Sequence, residues 1–239
     1  MRTPERTSLP GVVFCAWNDW ETLVRELAEQ VADRLRQSIQ TRGGALMVVS
    51  GGQTPVDLFR TLSGQALPWE KVTILPSDER WVPADSDQRN SRLIRRSLLQ
   101  GAAARSRLID LVETGDQSPE QSAERASDRL YQLDWPADVV VLGMGEDGHT
   151  ASLFPDAPEL AFALSADAPS VVVTTPPSQS TVRLTLSARV LSGAAMTVLL
   201  IRGEGKRVAL EEAVSAPLAI GRMPVRYFFQ QPMRVVWSP

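Results

Sequence analysis

The sequence is poor in the two side chains that most often hold transition metals, because His149 is its only histidine and Cys15 its only cysteine among 239 residues. A single cysteine cannot form an internal disulfide, and these two residues cannot supply a cysteine-rich or histidine-based zinc site. The 25 basic and 28 acidic residues give a net charge of −3, without the overall basic character of a nucleic-acid-binding protein. We therefore expect no metal and no nucleic-acid partner.

Long apolar segments are also missing. The longest runs, such as AAMTVLLI (194–201), are well short of the roughly 20 residues that a membrane-spanning helix needs. The N-terminal segment MRTPERTSLP carries charges with no apolar stretch behind them, so it does not resemble a signal peptide. These features predict a soluble, cytoplasmic protein with no membrane partner.

Short apolar runs alternate with longer amphipathic stretches along the chain. The predicted strands are GVVFCAW (11–17), ALMVVS (45–50), KVTILPSD (71–78), RLIDLV (107–112), DVVVLGMG (138–145), VVVTT (171–175), TVRLTL (181–186), AMTVLLIRG (195–203) and MRVVW (233–237). The predicted helices cover 20–40, a segment opened by Pro55, 91–99, 119–133 and 205–214. We expect 171–175 and 181–186 to pair with each other.

Strands that are nearly continuous in Val, Ile and Leu, separated by helices, indicate a parallel sheet covered on both faces. No internal repeat, low-complexity tract or linker divides the chain. We predict an α/β fold in which residues 1–239 form a single domain, with a mostly parallel, doubly wound sheet and helices on both faces. Residues 1–10 or so are expected to be disordered.

Polar and glycine-rich turns follow several predicted strands, at the edge where open α/β sheets bind their ligands. SGGQTP (50–55) lies directly between a strand and a helix. Its two glycines allow the backbone to approach an anion closely, and the helix N-terminus offers free N–H donors. Thr54 adds a hydroxyl group. The segment predicts either an anion-binding turn or a tight connection that binds nothing.

A second polar segment, SDERWVPADSDQRNS (77–91), begins with Asp78, Glu79 and Arg80 directly after a strand. A solvated charged loop is the simplest interpretation of such a run. Its position at a strand end favours a functional interpretation instead, because catalytic residues collect at that edge in this class of fold.

The third segment, GMGEDGHTASLFP (143–155), holds His149. Imidazole is largely neutral and basic at pH 7, so a general base of this kind would have to be His149. Asp147, two residues earlier, is close enough in sequence to orient the ring. The alternative is a structural histidine in a glycine-rich turn, and the GxGxxG-like spacing is weak evidence for a dinucleotide site.

Two cations complete the pattern, Arg183 on the strand TVRLTL and Lys206 in GEGKR at the start of a helix. An arginine grips phosphate through two parallel hydrogen bonds, whereas a lysine acts as a point charge. Either residue alone would be interpreted as a surface cation. Together with SGGQTP they predict a phosphate pocket.

These segments, in this order, resemble the 6-phosphogluconolactonase family. The resemblance rests on SGGQTP, on SDERWVP with the later Asn90-Ser91, on GMGEDGHTASLFP, and on RLTLS followed by GEGK. GMGEDGHTASLFP is the most specific of them, and the C-terminal MPVRYFFQQPMRVVWSP fits the family less closely. The resemblance implies hydrolysis of 6-phospho-D-glucono-1,5-lactone to 6-phospho-D-gluconate in the pentose phosphate pathway, without a metal or an organic cofactor.

The resemblance also implies roles for individual residues. Those implied for substrate and phosphate binding are Ser50, Gly51, Gly52, Thr54, Arg80, Arg183 and Lys206. His149 is implied as the base that activates water, with Asp147 or Asp78 orienting its ring and Asp78 alternatively holding the sugar. Backbone N–H groups in the Gly143–Gly148 turn are expected to stabilise the oxyanion.

Two other functions remain as alternatives. Glucosamine-6-phosphate deaminases share the SGG-T-P loop and the GxDGH turn, but they carry Asn-Glu-Pro where this chain has Leu153-Phe154-Pro155, and a tyrosine in place of Arg80. A non-catalytic sugar-phosphate-sensing domain would need the phosphate cradle without His149. The resemblance leaves open whether the chain acts as a monomer or a homodimer.

Overall fold

A computed structural model gives the fold, and it describes residues 5–6 and 9–239. Strands and helices alternate over most of this range. The strands are β1 (Glu5–Arg6), β2 (Val12–Ala16), β3 (Ala45–Val49), β4 (Val72–Pro76), β5 (Asp78–Arg80), β6 (Arg107–Leu108), β7 (Val139–Leu142), β8 (Val171–Thr174), β9 (Arg183–Leu186), β10 (Met196–Arg202) and β11 (Met233–Ser238).

Eight of these strands form the main sheet, in the order β1-β2-β11-β10-β7-β3-β4-β6. All neighbouring pairs are parallel except β1 with β2, which pair antiparallel. The predicted strand 107–112 is too long, because only Arg107–Leu108 pair with β4. The prediction of disorder over about residues 1–10 falls partly on residues 1–4 and 7–8, which lie outside the described residues.

The helices lie between the strands and cover both faces of the main sheet. They are α1 (Trp20–Arg42), α2 (Val56–Ser63), α3 (Asn90–Ser97), α4 (Pro119–Tyr131), α5 (Leu160–Ala163), α6 (Ala188–Leu191) and α7 (Glu204–Ser215). A 3-10 helix over Pro224–Gln230 was not expected from the sequence. Within the described ranges no helix is both long and apolar enough to cross a bilayer.

Local chemistry sets the ends of α1, the longest helix. The Asp19 carboxylate accepts a hydrogen bond of 2.7 Å from the N–H of Thr22, which satisfies one free donor of the first turn. At the other end Gly43 adopts the left-handed conformation, with φ at 83°, and its N–H bonds to the carbonyl of Ile39. Because glycine has no Cβ, it adopts this helix-ending conformation without strain, and β3 begins only two residues later.

Alternating strand residues feed two separate hydrophobic cores. Leu46 and Val48 of β3 point to the core beneath α4 and α7, whereas Met47 and Val49 belong to the core beneath α1 and α2. A strand with both faces buried in this way needs apolar residues at every position. The predicted α/β fold, with a mostly parallel and doubly wound sheet, is confirmed.

A smaller sheet of three antiparallel strands, in the order β5-β9-β8, lies apart from the main one. The expected pairing of 171–175 with 181–186 is confirmed, with Val171 opposite Leu186. The prediction of one strand over 71–78 is wrong, because the chain leaves the main sheet at Ser77 and Asp78 starts β5. The segment after β4 therefore begins as a paired strand and not as a solvated loop.

A buried carboxylate ties the amino ends of β3 and β7 together. Asp138 is 1% exposed, accepts a hydrogen bond of 2.8 Å from the N–H of Leu46, and pairs with Arg42 at the end of α1. Burial alone would raise the pKa of this carboxyl, but the hydrogen bonds from Arg42, Ser38 and the Leu46 N–H hold the pKa below its ordinary value.

Replacing this carboxylate should cost stability in a pH-dependent way. We expect Asp138→Asn to lower the free energy of unfolding at pH 7 by about 1–3 kcal/mol, the penalty for a disrupted buried polar group. Because the folded pKa is depressed, this stabilisation is complete above the unfolded pKa of about 4 and is lost as the pH falls through the folded pKa. Urea unfolding at neutral pH and at about pH 3 measures both effects.

Asp134→Asn is the matched control, since Asp134 and Asp138 border one cavity of about 140 Å³ but Asp134 is exposed. It should leave the unfolding free energy within about 0.5 kcal/mol of wild type at either pH. A difference between wild type and Asp138→Asn that stays constant between the two pH values would contradict this account.

Candidate active site

The carboxyl ends of the main strands open into a cavity of about 200 Å³. It is bordered by the turns after β3, β4 and β7, by β9 of the small sheet, and by the start of α7. Of the ten residues proposed from the sequence, nine line this cavity: Ser50, Gly51, Gly52, Thr54, Asp78, Arg80, His149, Arg183 and Lys206. The tenth, Asp147, lies behind His149. Residues up to 156 positions apart in the chain thus share one site because parallel strands end at one edge.

Two positions in the turn after β3 require glycine, Gly51 because of space and Gly52 because of its backbone conformation. A Cβ on Gly51 would lie 1.9 Å from the side-chain oxygen of Asn90, so only glycine fits. Gly52 has φ at 84°, in the region that favours glycine. The Asn90 amide also donates a 2.8 Å hydrogen bond to the carbonyl of Asp78. Asn90 lines the cavity and was not singled out as a site residue from the sequence, although it belongs to the segment that carried the resemblance.

Glu79 lies behind Asn90 and is fully buried. Its carboxylate accepts hydrogen bonds of 2.8 Å from the backbone N–H groups of Arg80, Asn90 and Ser91. Burial raises the pKa of the Glu79 carboxyl above its ordinary value, although these N–H groups oppose the shift. The sequence indicates no role for Glu79, because a charged residue in a polar run gives no sign that it will be buried.

Asp78 points in a different direction from Glu79, as successive residues of a strand do. Its carboxylate accepts hydrogen bonds from the hydroxyl of Ser152, at 2.6 Å, and from that of Ser77, at 3.0 Å. Asp78 is 6% exposed and still borders the cavity. These partners tie β5 to the segment that follows His149, and Asp78 does not contact the imidazole within hydrogen-bonding distance.

His149 is held on two sides. Its Nδ1 lies 2.6 Å from the Asp147 carboxylate, so Asp147, one of the two carboxylates considered from the sequence, is the one beside the ring. The ring stacks on Phe154, with centroids 4.1 Å apart and an interplanar angle of 24°. A carboxylate on Nδ1 favours a proton at that nitrogen, which leaves Nε2 of the neutral ring with a free lone pair. The imidazole is thus oriented as a base.

The charge of Asp147 responds to this contact. Partial burial alone would raise the pKa of the Asp147 carboxyl, but the hydrogen bond from the His149 ring, the charge of the ring and the His149 N–H hold the pKa below its ordinary value. Asp147 therefore stays ionised where an imidazolium would form next to it. This is the arrangement that supports transient protonation of a histidine.

Three cationic side chains face the cavity. Arg80 and Arg183 are directly opposite each other on β5 and β9, and each keeps a buried Nε with no partner among the described residues. Arg80 donates to the carbonyl of Gln88 and Arg183 to the side chain of Gln179, both at 2.7 Å. Burial lowers the pKa of Arg183, with the charge of Asp78 opposing and that of Arg80 adding to the shift. Lys206 adds a third positive charge, so the cavity suits an anionic ligand.

The glycine-rich turn after β7 offers fewer free amides than expected. The N–H of Gly145 bonds to the carbonyl of His149 at 2.8 Å, and the N–H of Gly148 bonds to the carbonyl of Gly145 at 3.1 Å. The expected oxyanion donors are therefore limited to Gly143 and Met144, which border the cavity. Across residues 9–239, no group of three His, Cys, Asp or Glu side chains converges in a way that could hold a metal ion.

The comparisons with known proteins all indicate the same family. The family described as glucosamine-6-phosphate isomerases/6-phosphogluconolactonase matches residues 18–237. A 6-phosphogluconolactonase of Pseudomonas aeruginosa is 42% identical over 96% of both chains. The crystal structure of a 6-phosphogluconolactonase from Shewanella baltica matches with a TM-score of 0.92 and 36% identity, over 97% of this chain and 99% of that one. A monomeric glucosamine-6-phosphate deaminase shares the fold at a TM-score of 0.79 and 17% identity, over 94% and 96% of the two chains.

Removing the imidazole should change the titration of its partner. In His149→Ala the hydrogen bond and charge of the ring are lost, so we expect the pKa of the Asp147 carboxyl to rise relative to wild type. Carboxyl ¹³C NMR over the acidic range measures it directly. Asp116, whose pKa is lowered by Ser122 and Arg125 elsewhere in the protein, is the internal control and should not move. An unchanged pKa of Asp147 would show that the His149 ring does not stabilise the ionised carboxylate.

Proposed function

The chain belongs to the family of glucosamine-6-phosphate isomerases and 6-phosphogluconolactonases, and we propose that it hydrolyses 6-phospho-D-glucono-1,5-lactone to 6-phospho-D-gluconate. One observation carries the proposal: the only histidine of the chain, backed by Asp147, faces a cavity bordered by three cations. That cavity combines a base for the lactone with a counter-charge for the phosphate.

The phosphate end of the substrate is assigned to the turn after β3 and to the cations around it. Gly51 and Gly52 let phosphate oxygens approach the backbone, and Thr54 offers a hydroxyl group. Lys206 and Arg183 supply the charge, with Arg80 as a further contact to phosphate or sugar hydroxyls. Asp78, which is fixed by Ser77 and Ser152, is assigned to the sugar hydroxyls and not to the imidazole.

The lactone end is assigned to His149. The neutral imidazole takes a proton from a water molecule through Nε2 as the water oxygen attacks the carbonyl carbon. Asp147 stabilises the imidazolium that results, and the N–H groups of Gly143 and Met144 are assigned to the developing oxyanion. When the intermediate collapses, the C–O bond to the ring oxygen breaks and the imidazolium returns its proton to that oxygen. The product is 6-phospho-D-gluconate, and the His149 imidazole is neutral again.

The demands on the catalyst are modest because such lactones also open without an enzyme. A positioned general base contributes typically 10²–10⁴-fold, and holding the substrate in place adds to it. Water and the lactone are then the only reactants that the proposed step requires.

The related amino-sugar deamination is disfavoured by the contact that orients His149. Phe154 stacks on the imidazole and is 2% exposed, so the side chain at this position offers no carboxylate to assist the histidine. We also place the reaction in the cytoplasm, with a sugar-phosphate lactone as the small-molecule partner and with a monomer or a homodimer as the working unit.

The proposal is tested by hydrolysis of the phosphorylated lactone and of the unphosphorylated one, after subtraction of the spontaneous rate. His149→Ala should lower kcat on both substrates by about 10²–10⁴-fold, because the base acts on the carbonyl end. Lys206→Met should lower kcat/KM on the phosphorylated lactone by roughly 10- to 100-fold, the value of a charged contact of about 1.5–3 kcal/mol. It should leave the other substrate unaffected.

The chain offers a matched control, because Lys71 is its only other lysine and lies at the opposite end of the sheet, beside Val72 at the start of β4. Lys71→Met should behave as wild type on both substrates. A wild type that releases ammonia from glucosamine 6-phosphate and leaves the lactone unchanged would assign the other reaction of the family. Binding of sugar phosphates without hydrolysis would favour the sensing domain, and full activity in His149→Ala would refute the mechanism.

A further inference from the structure

Arg89 is a buried cation that pairs with no carboxylate among the residues that the structure describes. The residue immediately precedes α3 and is 4% exposed. Its Nε and Nη1 atoms are buried without a hydrogen-bond partner, and its guanidinium forms no ion pair with the residues that the structure describes. Buried charges are ordinarily paired, since their desolvation is costly.

Its neighbours on α3 behave differently. Arg95 binds the Asp110 carboxylate through two nitrogens, at 2.9 and 2.6 Å. Arg92 and Arg96 both pair with Asp87, at 3.1 and 2.7 Å. The neighbouring arginines, although more exposed, have acidic partners, so the missing partner of Arg89 is not a general feature of this helix.

Arg89 faces two adjoining cavities of about 330 and 350 Å³. Both are bordered by Ala84, Val112, Glu113 and Thr114, and Trp81 adds an aromatic wall to the second. Three carboxylates border these cavities, and each pairs with an arginine other than Arg89. Asp110 pairs with Arg95, Glu113 with Arg129 and Asp116 with Arg125. A ligand of small-molecule size has room beside the guanidinium.

These two cavities and the catalytic cavity lie on opposite sides of the segment 80–90. Arg80 and Asn90 border the catalytic cavity, whereas Arg89 borders both of the other cavities and Trp81 borders the second of them. The catalytic cavity shares no bordering residue with those two. A ligand at Arg89 would therefore be bound separately from the lactone.

We propose that Arg89 anchors a second binding site, for the oxyanion of a small molecule that carries a phosphate or carboxylate group. The planar guanidinium offers parallel N–H donors that match either group, and its buried position strengthens such contacts. The apolar walls at Trp81 and Val112 accommodate the body of the ligand. The site does not depend on the proposed function, because neither its residues nor its test involves lactone hydrolysis.

Residue-resolved NMR tests the site with inorganic phosphate and with acetate as probes, at constant ionic strength. Backbone amides of Ala84, Arg89 and Thr114 report on the new site, and those of Gly51 and Gly52 report on the catalytic one. We expect saturable shifts at the first group with at least one of the two anions. Arg89→Gln should raise the dissociation constant of that anion about tenfold or more, because a charged contact is lost. It should leave the shifts of Gly51 and Gly52 unchanged.

Arg96→Gln is the matched control, since it removes the same charge from α3 at a position outside both cavities. It should leave the titration as in wild type. If Arg89→Gln does not fold, Arg89→Lys keeps the charge without the planar fork and should still weaken binding. Shifts that stay linear in both anions, or that persist in the Arg89 variants, would mean an adventitious ion only and would overturn the proposal.

Discussion

The buried carboxylate of Glu79 gathers three backbone N–H groups from two separate segments, and the wall of the active site depends on this contact. It fixes Arg80 at the end of β5 and the first turn of α3 at Asn90 and Ser91. The Asn90 side chain, through its bond to the Asp78 carbonyl, and Arg80, through its bond to the Gln88 carbonyl, reinforce this connection. With it, Asn90 is pressed against Gly51 and Arg80 faces Arg183 across the small sheet. One acidic side chain thus helps to hold Arg80 and the Gly51–Gly52 turn in their relative positions.

Asp78 performs the complementary task on the other face of the same strand. Its hydrogen bonds to Ser77 and Ser152 connect β5 to the segment that contains His149. The imidazole is then confined between Asp147 and Phe154, and the Phe154 ring also lies 5.6 Å from the Arg183 guanidinium carbon. His149, Arg183 and the glycine turn are therefore parts of one packed unit, held by contacts among the residues that border the cavity.

The sequence predicts the main sheet well because strands that are apolar at every position, such as β3 and β7, can only be buried on both faces. Parallel strands end at one edge, and this rule brought together residues as distant as Ser50 and Lys206. The rule does not reveal that the chain leaves the main sheet at Ser77, because no local signal separates a strand break from a continuing strand. Nor does it predict burial of polar residues such as Glu79, Asn90 and Arg89. Their environment is created by segments far away in the chain, so their own neighbours in sequence carry no information about it.

Neutral His149 is the proposed base, and because it is the only histidine of the chain its titration can be assigned without ambiguity. ¹⁵N NMR of the imidazole gives the midpoint of its titration, and kcat/KM for the lactone, corrected for spontaneous hydrolysis, gives the midpoint of the rate. The account predicts a rate that rises with pH and whose midpoint coincides with deprotonation of the imidazole in the free enzyme. A rate that does not change through that midpoint, or that follows a different group, would contradict it.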